Sequence, residues 1–103
     1  MSNVVEIVNF KLANGTTHQD FIASNEQMES FLKEQEGLLY RTLCEKEDAS
    51  YVDIVYWQDM ALAKKAQQAF YSSPLCQMFA QNIDKESVQL EHVKVIASQG
   101  CEG

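Results

Sequence analysis

Proline, glycine and basic residues are scarce in this sequence. One proline and four glycines stand among 103 residues, which excludes a collagen-like chain or a long low-complexity linker. Eight basic residues stand against fifteen acidic ones, for a formal charge of -7. Because the basic residues are scattered along the chain, they form no patch that could follow a phosphate backbone. We therefore expect no nucleic-acid partner.

Long apolar runs and paired cysteines are missing as well. No run approaches the roughly 18 residues of a membrane span, and the N-terminus lacks the basic and apolar regions of a signal peptide. Cys44, Cys76 and Cys101 show no CxxC spacing, and an odd number cannot pair completely within one chain. The sequence thus predicts a soluble cytoplasmic protein with free thiols, no membrane partner and no metal site.

The remaining composition is that of one folded domain. Hydrophobic residues make up 46% of the chain and aromatic residues 10%, enough to build a modest core. No linker or internal repeat divides the sequence. We expect a single domain over residues 1–103, in which residues 98–103 form a frayed tail.

The segment YVDIVYW at positions 51–57 predicts the strand on which the fold depends. Alternation places Tyr51, Asp53, Val55 and Trp57 on one face, and the other face is apolar too. Such a strand has to be covered on both sides, but two helices cover only one side of a small sheet. A second copy of the chain is the expected cover for the other side, which predicts a homodimer through the sheet.

The rest of the chain reads in the order β, α, β, β, α, β. This order is typical of the ferredoxin-like class of α+β folds, a βαββαβ antiparallel sheet with both helices on one face. The predicted strands cover residues 4–12, 38–46, 51–57 and 87–97. Helix starts and stops are indicated by Thr17 before the first helix, Gly37 after it, Asp59 before the second helix and Ser73-Pro74 before a short third one.

Side-chain alternation also predicts which residues share a face. In the second strand it groups Leu38 with Tyr40, against Arg41 on the other face. In the short helix it gives Leu75 and Met78 to the apolar side. In the last strand it puts Ile96 on the face of His92.

Short sequence features over residues 4–96 carry a family resemblance. They are Gly37-Leu38, Trp57 at the end of its strand, the alanine-rich helix after it, and Ser73-Pro74 with Phe79. Together they resemble the antibiotic biosynthesis monooxygenase family of dimeric α+β barrels. The resemblance implies a homodimer whose two sheets form a barrel, with a ligand cavity in each subunit between sheet and helices.

A larger set of residues looks closer still to a branch of uncharacterised bacterial members of that family. The set is Glu6, Phe10, Gly15, Phe21, Gly37, Arg41, Asp53, Trp57, Asp84, Ser87 and His92.

The sequence departs from the family at two places. Many members have a histidine in the helix after the tryptophan, where this chain reads KKAQQ at positions 64–68. The haem-degrading branch has an iron-ligating histidine near the segment at 76–79, where none stands here, and Asn9 is one residue out of register with that branch's strand asparagine. We expect no haem and no other cofactor.

His92 and Asp53 are the candidate catalytic residues. His92 is the only histidine on an expected strand, and an imidazole titrates in the range where it could accept a phenol proton at neutral pH. A core histidine held by a hydrogen bond is the alternative. Asp53 lies mid-strand among apolar residues and needs a partner. Arg41 would make a structural ion pair with it, and His92 would make a dyad in the cavity.

Four further residues are candidates for substrate binding, each with a structural alternative. Trp57 could stack on a flat ligand or belong to the core. Asn25 interrupts an apolar helix stripe and could orient a substrate oxygen, or make an interface or water contact. Glu6 and Arg41 could contact substrate or pair with each other across neighbouring strands.

Two functions fit these residues. One is a cofactor-independent monooxygenase acting on a small hydroxylated aromatic or quinol, as the resemblance implies. Its base would be His92 oriented by Asp53, because such a substrate reacts with dioxygen once it is desolvated and deprotonated. The other is a non-catalytic dimeric module that binds a small molecule or serves only as a structural unit. The missing helix histidine favours the second.

Overall fold

The computed structural model describes residues 2–100 and contains one four-stranded sheet with its helices. The strands are β1 (Val4–Phe10), β2 (Leu38–Glu45), β3 (Tyr51–Trp57) and β4 (Gln89–Lys94), and the helices are α1 (His18–Lys33), α2 (Met60–Ser72) and α3 (Pro74–Ala80), with a 3-10 turn at Lys85–Ser87. Every strand pair is antiparallel, and the order across the sheet is β2-β3-β1-β4. The predicted ferredoxin-like α+β fold is confirmed.

The helices begin where their capping residues predict. The Thr17 hydroxyl accepts a hydrogen bond from the Asp20 N–H at 3.0 Å, and Asp59 accepts one from the Leu62 N–H at 2.9 Å. Ser73 caps α3 in the same way, with Pro74 in its first turn. Each cap satisfies an amide that has no partner inside its own helix, so the local sequence fixes where the helices start.

Gly37, between α1 and β2, permits a close approach as well as a turn. Its φ of +87° lies in the left-handed region, which disfavours residues with a Cβ. A Cβ added there would lie 2.6 Å from Leu62 Cδ1 and 2.9 Å from Leu62 Cβ, on the first turn of α2. The glycine therefore lets the turn between α1 and β2 lie directly against the start of α2.

The strand boundaries and faces differ from the predictions at several points. β1 ends at Phe10, and Leu12 makes only an isolated bridge to Ile83. An irregularity between Leu38 and Tyr40 turns Leu38 to the same face as Arg41, so the predicted grouping of Leu38 with Tyr40 is wrong.

The C-terminal elements also need correction. β4 ends at Lys94, and Ile96 beyond it is 98% exposed instead of facing the core. In α3 the buried side chains are Cys76 and Phe79, while Leu75 and Met78 are exposed. The frayed tail predicted for residues 98–103, with Cys101, lies partly outside the described residues.

The core lies between the helices and one face of the sheet. Its aromatic part is a contiguous set in which Phe21 contacts Phe10, Tyr51 and Phe79 at ring-centroid distances of 4.9–5.6 Å. Every second residue of β3 is buried, and these are the four residues predicted to share a face. Val8, Phe31, Leu38 and Phe70 pack around this core.

The opposite face of the sheet carries apolar side chains without a layer of helices. Val52 and Ile54 are half-buried there, and Tyr40 and Tyr56 are 66% and 37% exposed. We call this surface, together with Val5, Ile7 and Val93, the outer sheet face. Within residues 2–100 no helix is both long enough and apolar enough to cross a membrane.

Candidate functional site

A pocket of about 430 Å³ lies between the sheet and the helices. Its walls are mostly apolar, and aromatic rings from β1, β3 and all three helices contribute to them. Polar side chains reach the wall at Glu6, Asp53, Gln67, Gln77 and Lys85. A volume in this range suits a ligand of drug-like size, with a few polar groups to orient it.

Glu6 and His92 form a hydrogen-bonded pair beside this pocket. They are directly opposite each other on β1 and β4, and His92 Nε2 lies 2.9 Å from Glu6 Oε1. Their side chains are 17% and 11% exposed. Glu6 lines the pocket, whereas His92 is not among the lining residues. His92 therefore contacts the Glu6 carboxylate from outside the pocket wall. The second oxygen of Glu6, Oε2, accepts no hydrogen bond from the side chains and amides of residues 2–100.

Compared with water, the surroundings of Glu6 favour the neutral carboxylic acid over the carboxylate. Burial raises the pKa of Glu6 above its ordinary value. The hydrogen bond and the charge of His92 lower the pKa of Glu6, the nearby charge of Asp53 raises it again, and the Trp57 indole N–H lowers it. Because burial is the largest of these effects, the pKa of Glu6 stays raised, which suits a group that exchanges a proton with a ligand.

Asp53 is paired with Arg41. Its side chain is buried, and its two oxygens accept hydrogen bonds from Arg41 Nε at 2.9 Å and Arg41 Nη2 at 2.7 Å. This is the bidentate geometry in which a buried ion pair is best compensated. Of the two predicted partners, Arg41 is therefore the one observed, and the Asp53–His92 dyad is not formed.

The predicted pair of Glu6 and Arg41 is not formed either. β3 lies between β1 and β2, so these two residues are not on neighbouring strands. Glu6 pairs with His92 at one edge of the sheet, and Arg41 pairs with Asp53 toward the other.

Asn25 extends the Arg41 network instead of facing the pocket. Its Oδ1 accepts a hydrogen bond from Arg41 Nη1 at 2.7 Å, and its Nδ2 donates to Glu29 at 2.9 Å. Asn25 and Arg41 line a second, shallower hollow between α1 and β2. The neighbouring Ser24 accepts a hydrogen bond from Asn82 at 2.9 Å. The polar break in the apolar stripe of α1 is thus explained by two side-chain hydrogen bonds to other elements.

Trp57 belongs to the core and lines the pocket at the same time. It is 2% exposed, and it shares a face with Asp53 and Val55 on β3. Its indole N–H is buried and has no acceptor among the residues that the structure describes. Trp57 pairs with Val4, two residues from Glu6, so the indole N–H lies near the Glu6 carboxylate and lowers its pKa.

Other pocket residues escaped the sequence analysis. Phe70, Tyr71 and Lys85 carried no sequence pattern that indicates a site. Cys76 is fully buried, and burial raises the pKa of its thiol, which disfavours the reactive thiolate. Among residues 2–100 no three histidine, cysteine or acidic side chains are grouped to hold a metal ion.

No protein-family model and no curated protein sequence matches this chain. Solved structures do. SnoaB, a cofactor-independent oxygenase from Streptomyces nogalater, matches with a TM-score of 0.66 and 21% identity, over 97% of each chain. A protein from Bordetella bronchiseptica assigned to the antibiotic biosynthesis monooxygenases matches with a TM-score of 0.77 and 17% identity, over 94% of this chain and 100% of that one.

A protein from Chloroflexus aurantiacus with the same assignment matches with a TM-score of 0.68 and 12% identity, over 96% of this chain and 98% of that one. These likenesses extend over nearly the whole of each chain, and at such identities they establish the architecture. The resemblance found in the sequence is confirmed at that level: the chain has the ferredoxin-like α+β fold of the antibiotic biosynthesis monooxygenases.

Proposed function

We propose that this protein binds a small hydroxylated aromatic molecule, a phenol or quinol, in the pocket between sheet and helices and oxygenates it without a cofactor. The observation that carries the proposal is the position of Glu6, a partly buried carboxylate in an apolar pocket with one oxygen held by His92 and the other unused. The shared fold with a cofactor-independent oxygenase supports it.

In the proposed reaction the ligand supplies the electrons and dioxygen is the oxidant. The ligand hydroxyl donates its proton to Glu6 Oε2, and the resulting phenolate is electron-rich enough to react with dioxygen directly. One oxygen atom enters the ring, the other leaves as water, and the phenol becomes a quinone. The pocket contributes by excluding water and by holding the ring beside the base.

This proposal changes the roles first given to the candidate residues. Glu6 is the proton acceptor, and His92 acts through it by fixing one carboxylate oxygen. Trp57 forms part of the wall that positions the ring. Asp53 and Arg41 hold each other, so their proposed contribution is to the shape of the pocket wall.

A non-catalytic binding module remains the second candidate. It is favoured by the hydrogen bonds that commit Asp53, Arg41 and Asn25 to one another, because a structural network needs no substrate to explain it. For either candidate we propose a homodimer through the outer sheet face, since no helix among residues 2–100 covers its apolar side chains.

Oxygen consumption with a panel of hydroquinones and naphthols tests the proposal. We expect turnover by the wild type and a loss of about 10²- to 10⁴-fold in Glu6→Gln, the usual worth of a positioned base. Glu26→Gln, which removes the same charge from an exposed position on α1, should keep full activity. Saturable binding without oxygen uptake would favour the binding module. Absence of both would contradict a ligand role for the pocket.

A further inference from the structure

The connection between β1 and α1 contains the one asparagine of the chain that is followed by glycine. Asn14 and Gly15 are both exposed, and Gly15 has a φ of +85°. The Thr16 N–H donates to the Ala13 carbonyl at 3.0 Å, so Asn14 and Gly15 are the two central residues of a β-turn. Because glycine has no side chain, the backbone nitrogen that follows Asn14 is open to approach.

The protein holds the two ends of this turn but not its centre. The Ala13 N–H donates to the Asn82 carbonyl at 2.8 Å, and the preceding Leu12 forms a bridge to Ile83. Within residues 2–100, neither the Gly15 N–H nor the Asn14 carboxamide makes a hydrogen bond. One backbone hydrogen bond therefore closes the turn, and the groups at its tip are free to react.

The other four asparagines do not combine these properties. Asn9, Asn25 and Asn82 each make a side-chain hydrogen bond to a residue that is distant in the sequence. Asn3 precedes Val4, whose branched side chain crowds the backbone nitrogen beside it. A carboxamide that is held, or a crowded nitrogen after it, hinders contact between the two groups.

From this arrangement we infer that Asn14-Gly15 is a site of self-modification, at which the Asn14 carboxamide becomes a carboxylate and part of the product is isoaspartate. The Gly15 backbone nitrogen attacks Cγ of Asn14 and forms a new C–N bond. The carboxamide C–N bond breaks, and ammonia leaves with the proton of the Gly15 nitrogen. Water then opens the succinimide ring at either carbonyl, which gives aspartate or isoaspartate without any oxidant or reductant.

The two products should affect α1 differently. Aspartate adds a negative charge close to Thr17, the N-cap of α1, where the helix dipole favours an anion. Isoaspartate carries the chain through its own side chain, so the backbone of the turn gains one atom and the hydrogen bond between Ala13 and Thr16 no longer fits. Because Thr17 follows directly, its bond to the Asp20 N–H should be disturbed as well.

Ageing of the purified protein in warm buffer at pH 8 tests the site, with peptide mapping by mass spectrometry as the measurement. We expect Asn14 to gain the mass of an acid while Asn25 keeps its amide. An isoaspartyl methyltransferase with labelled S-adenosylmethionine detects the isoaspartate. The folded protein should react at a rate within about tenfold of the urea-unfolded chain, because opening a turn closed by one exposed hydrogen bond costs little.

Three variants assign the reaction and its consequence. Gly15→Ala should slow the reaction, because a methyl group crowds the attacking nitrogen. Asn14→Gln keeps Gly15 and should stop the reaction at this position, because ring closure would need a larger ring. Asn14→Asp reproduces the aspartate product and should melt like the fresh wild type. The isoaspartate form, separated by chromatography, should melt lower by roughly 4–8 °C, the shift expected for the loss of one helix cap.

Two outcomes would overturn the site itself. One is an Asn14 that keeps its amide over a period in which the urea-unfolded chain loses it, since the turn would then protect the residue. The other is an equal rate in the wild type and in Gly15→Ala, which would exclude attack by the Gly15 nitrogen. If the isoaspartate form melts together with Asn14→Asp, the effect on the cap of α1 is refuted while the modification stands. None of these outcomes depends on the pocket or its ligand.

Discussion

Glu6 and Asp53 are carboxylates on the same face of the sheet, but the protein stabilises their negative charges to different extents. Asp53 receives two hydrogen bonds from the guanidinium of Arg41, which carries a full positive charge. Glu6 receives one from His92, and burial still raises the pKa of Glu6. The charge of Asp53 is thus compensated within the protein, while that of Glu6 is compensated only in part. A ligand hydroxyl at Glu6 would supply the missing donor.

The raised pKa of Glu6 predicts how stability depends on pH. The folded state holds the Glu6 proton more tightly than the unfolded chain, whose value is near 4.5. The contribution of Glu6 to stability is therefore complete below that value and is lost as the pH rises through the folded pKa. Glu6→Gln keeps a neutral side chain at every pH, so we expect it to unfold at higher temperature than the wild type at pH 8.

Melting curves between pH 4 and pH 8 check this expectation. The advantage of Glu6→Gln should shrink as the pH falls, because the wild-type carboxyl becomes neutral too. Glu26→Gln is the matched control on an exposed helix surface, and its difference from the wild type should stay small throughout. A wild type more stable than Glu6→Gln at pH 8 would mean that the bond to His92 outweighs the burial of the charge.

Sequence reasoning found the polar residues of this face but paired them incompletely. Alternation within a strand indicates which residues share a face, and it correctly grouped Asp53 with Trp57. Which strands are neighbours, and in which register, depends on tertiary packing. The sequence therefore indicated Arg41 and His92 as possible partners of Asp53 but could not decide between them.

At the scale of the elements, the junction of α1, β2 and α2 depends on Gly37. Its carbonyl accepts a hydrogen bond from the Gln58 N–H at 2.8 Å, just after β3, and its Cα lies against Leu62. Glycine was recognised as a helix stop from the sequence, because a stop is a local property. The contact with Leu62 could not be predicted, since it joins the turn before β2 to a helix that lies far along the chain.

Replacing Gly37 by alanine tests this junction, and Gly15 offers a matched control. Both glycines have φ near +85°, but a Cβ at Gly15 would meet nothing within 4 Å. Gly15→Ala should lower the free energy of unfolding by about 1 kcal/mol, from backbone strain alone. Gly37→Ala should lower it by about 1–3 kcal/mol more, because Leu62 Cβ is fixed to the backbone of α2 and cannot rotate away.

Urea denaturation of the two variants measures the difference. Equal losses for Gly15→Ala and Gly37→Ala would show that α2 shifts freely to admit the methyl group.

The same limit of local reasoning explains the wrong prediction for Leu38. The prediction assumed strict alternation through β2. The irregularity between Leu38 and Tyr40 adds a residue to the strand, so Leu38, which precedes it, points to the opposite face from the predicted one.

For the whole molecule, net charge and the outer sheet face act in opposite directions. The chain has a formal charge of -7, so two copies repel each other at low ionic strength. The outer sheet face favours association, because side chains such as Ile54 and Tyr56 have no helix over them. Salt screens the repulsion without weakening apolar contact. A dimer through this face should therefore become tighter as salt is added.

Ile54→Glu should turn such a dimer into a monomer. Ile54 lies at the centre of the outer sheet face, on a strand with a neighbour on each side, and a carboxylate there would lose its water on association without gaining a partner. Leu75→Glu places the same charge on an exposed apolar site of α3, on the helix side of the sheet, and should remain dimeric. Sedimentation equilibrium at micromolar concentration separates these states. A monomeric wild type would contradict the association itself, while a dimer that survives in Ile54→Glu and dissociates in Leu75→Glu would move the interface to the helices.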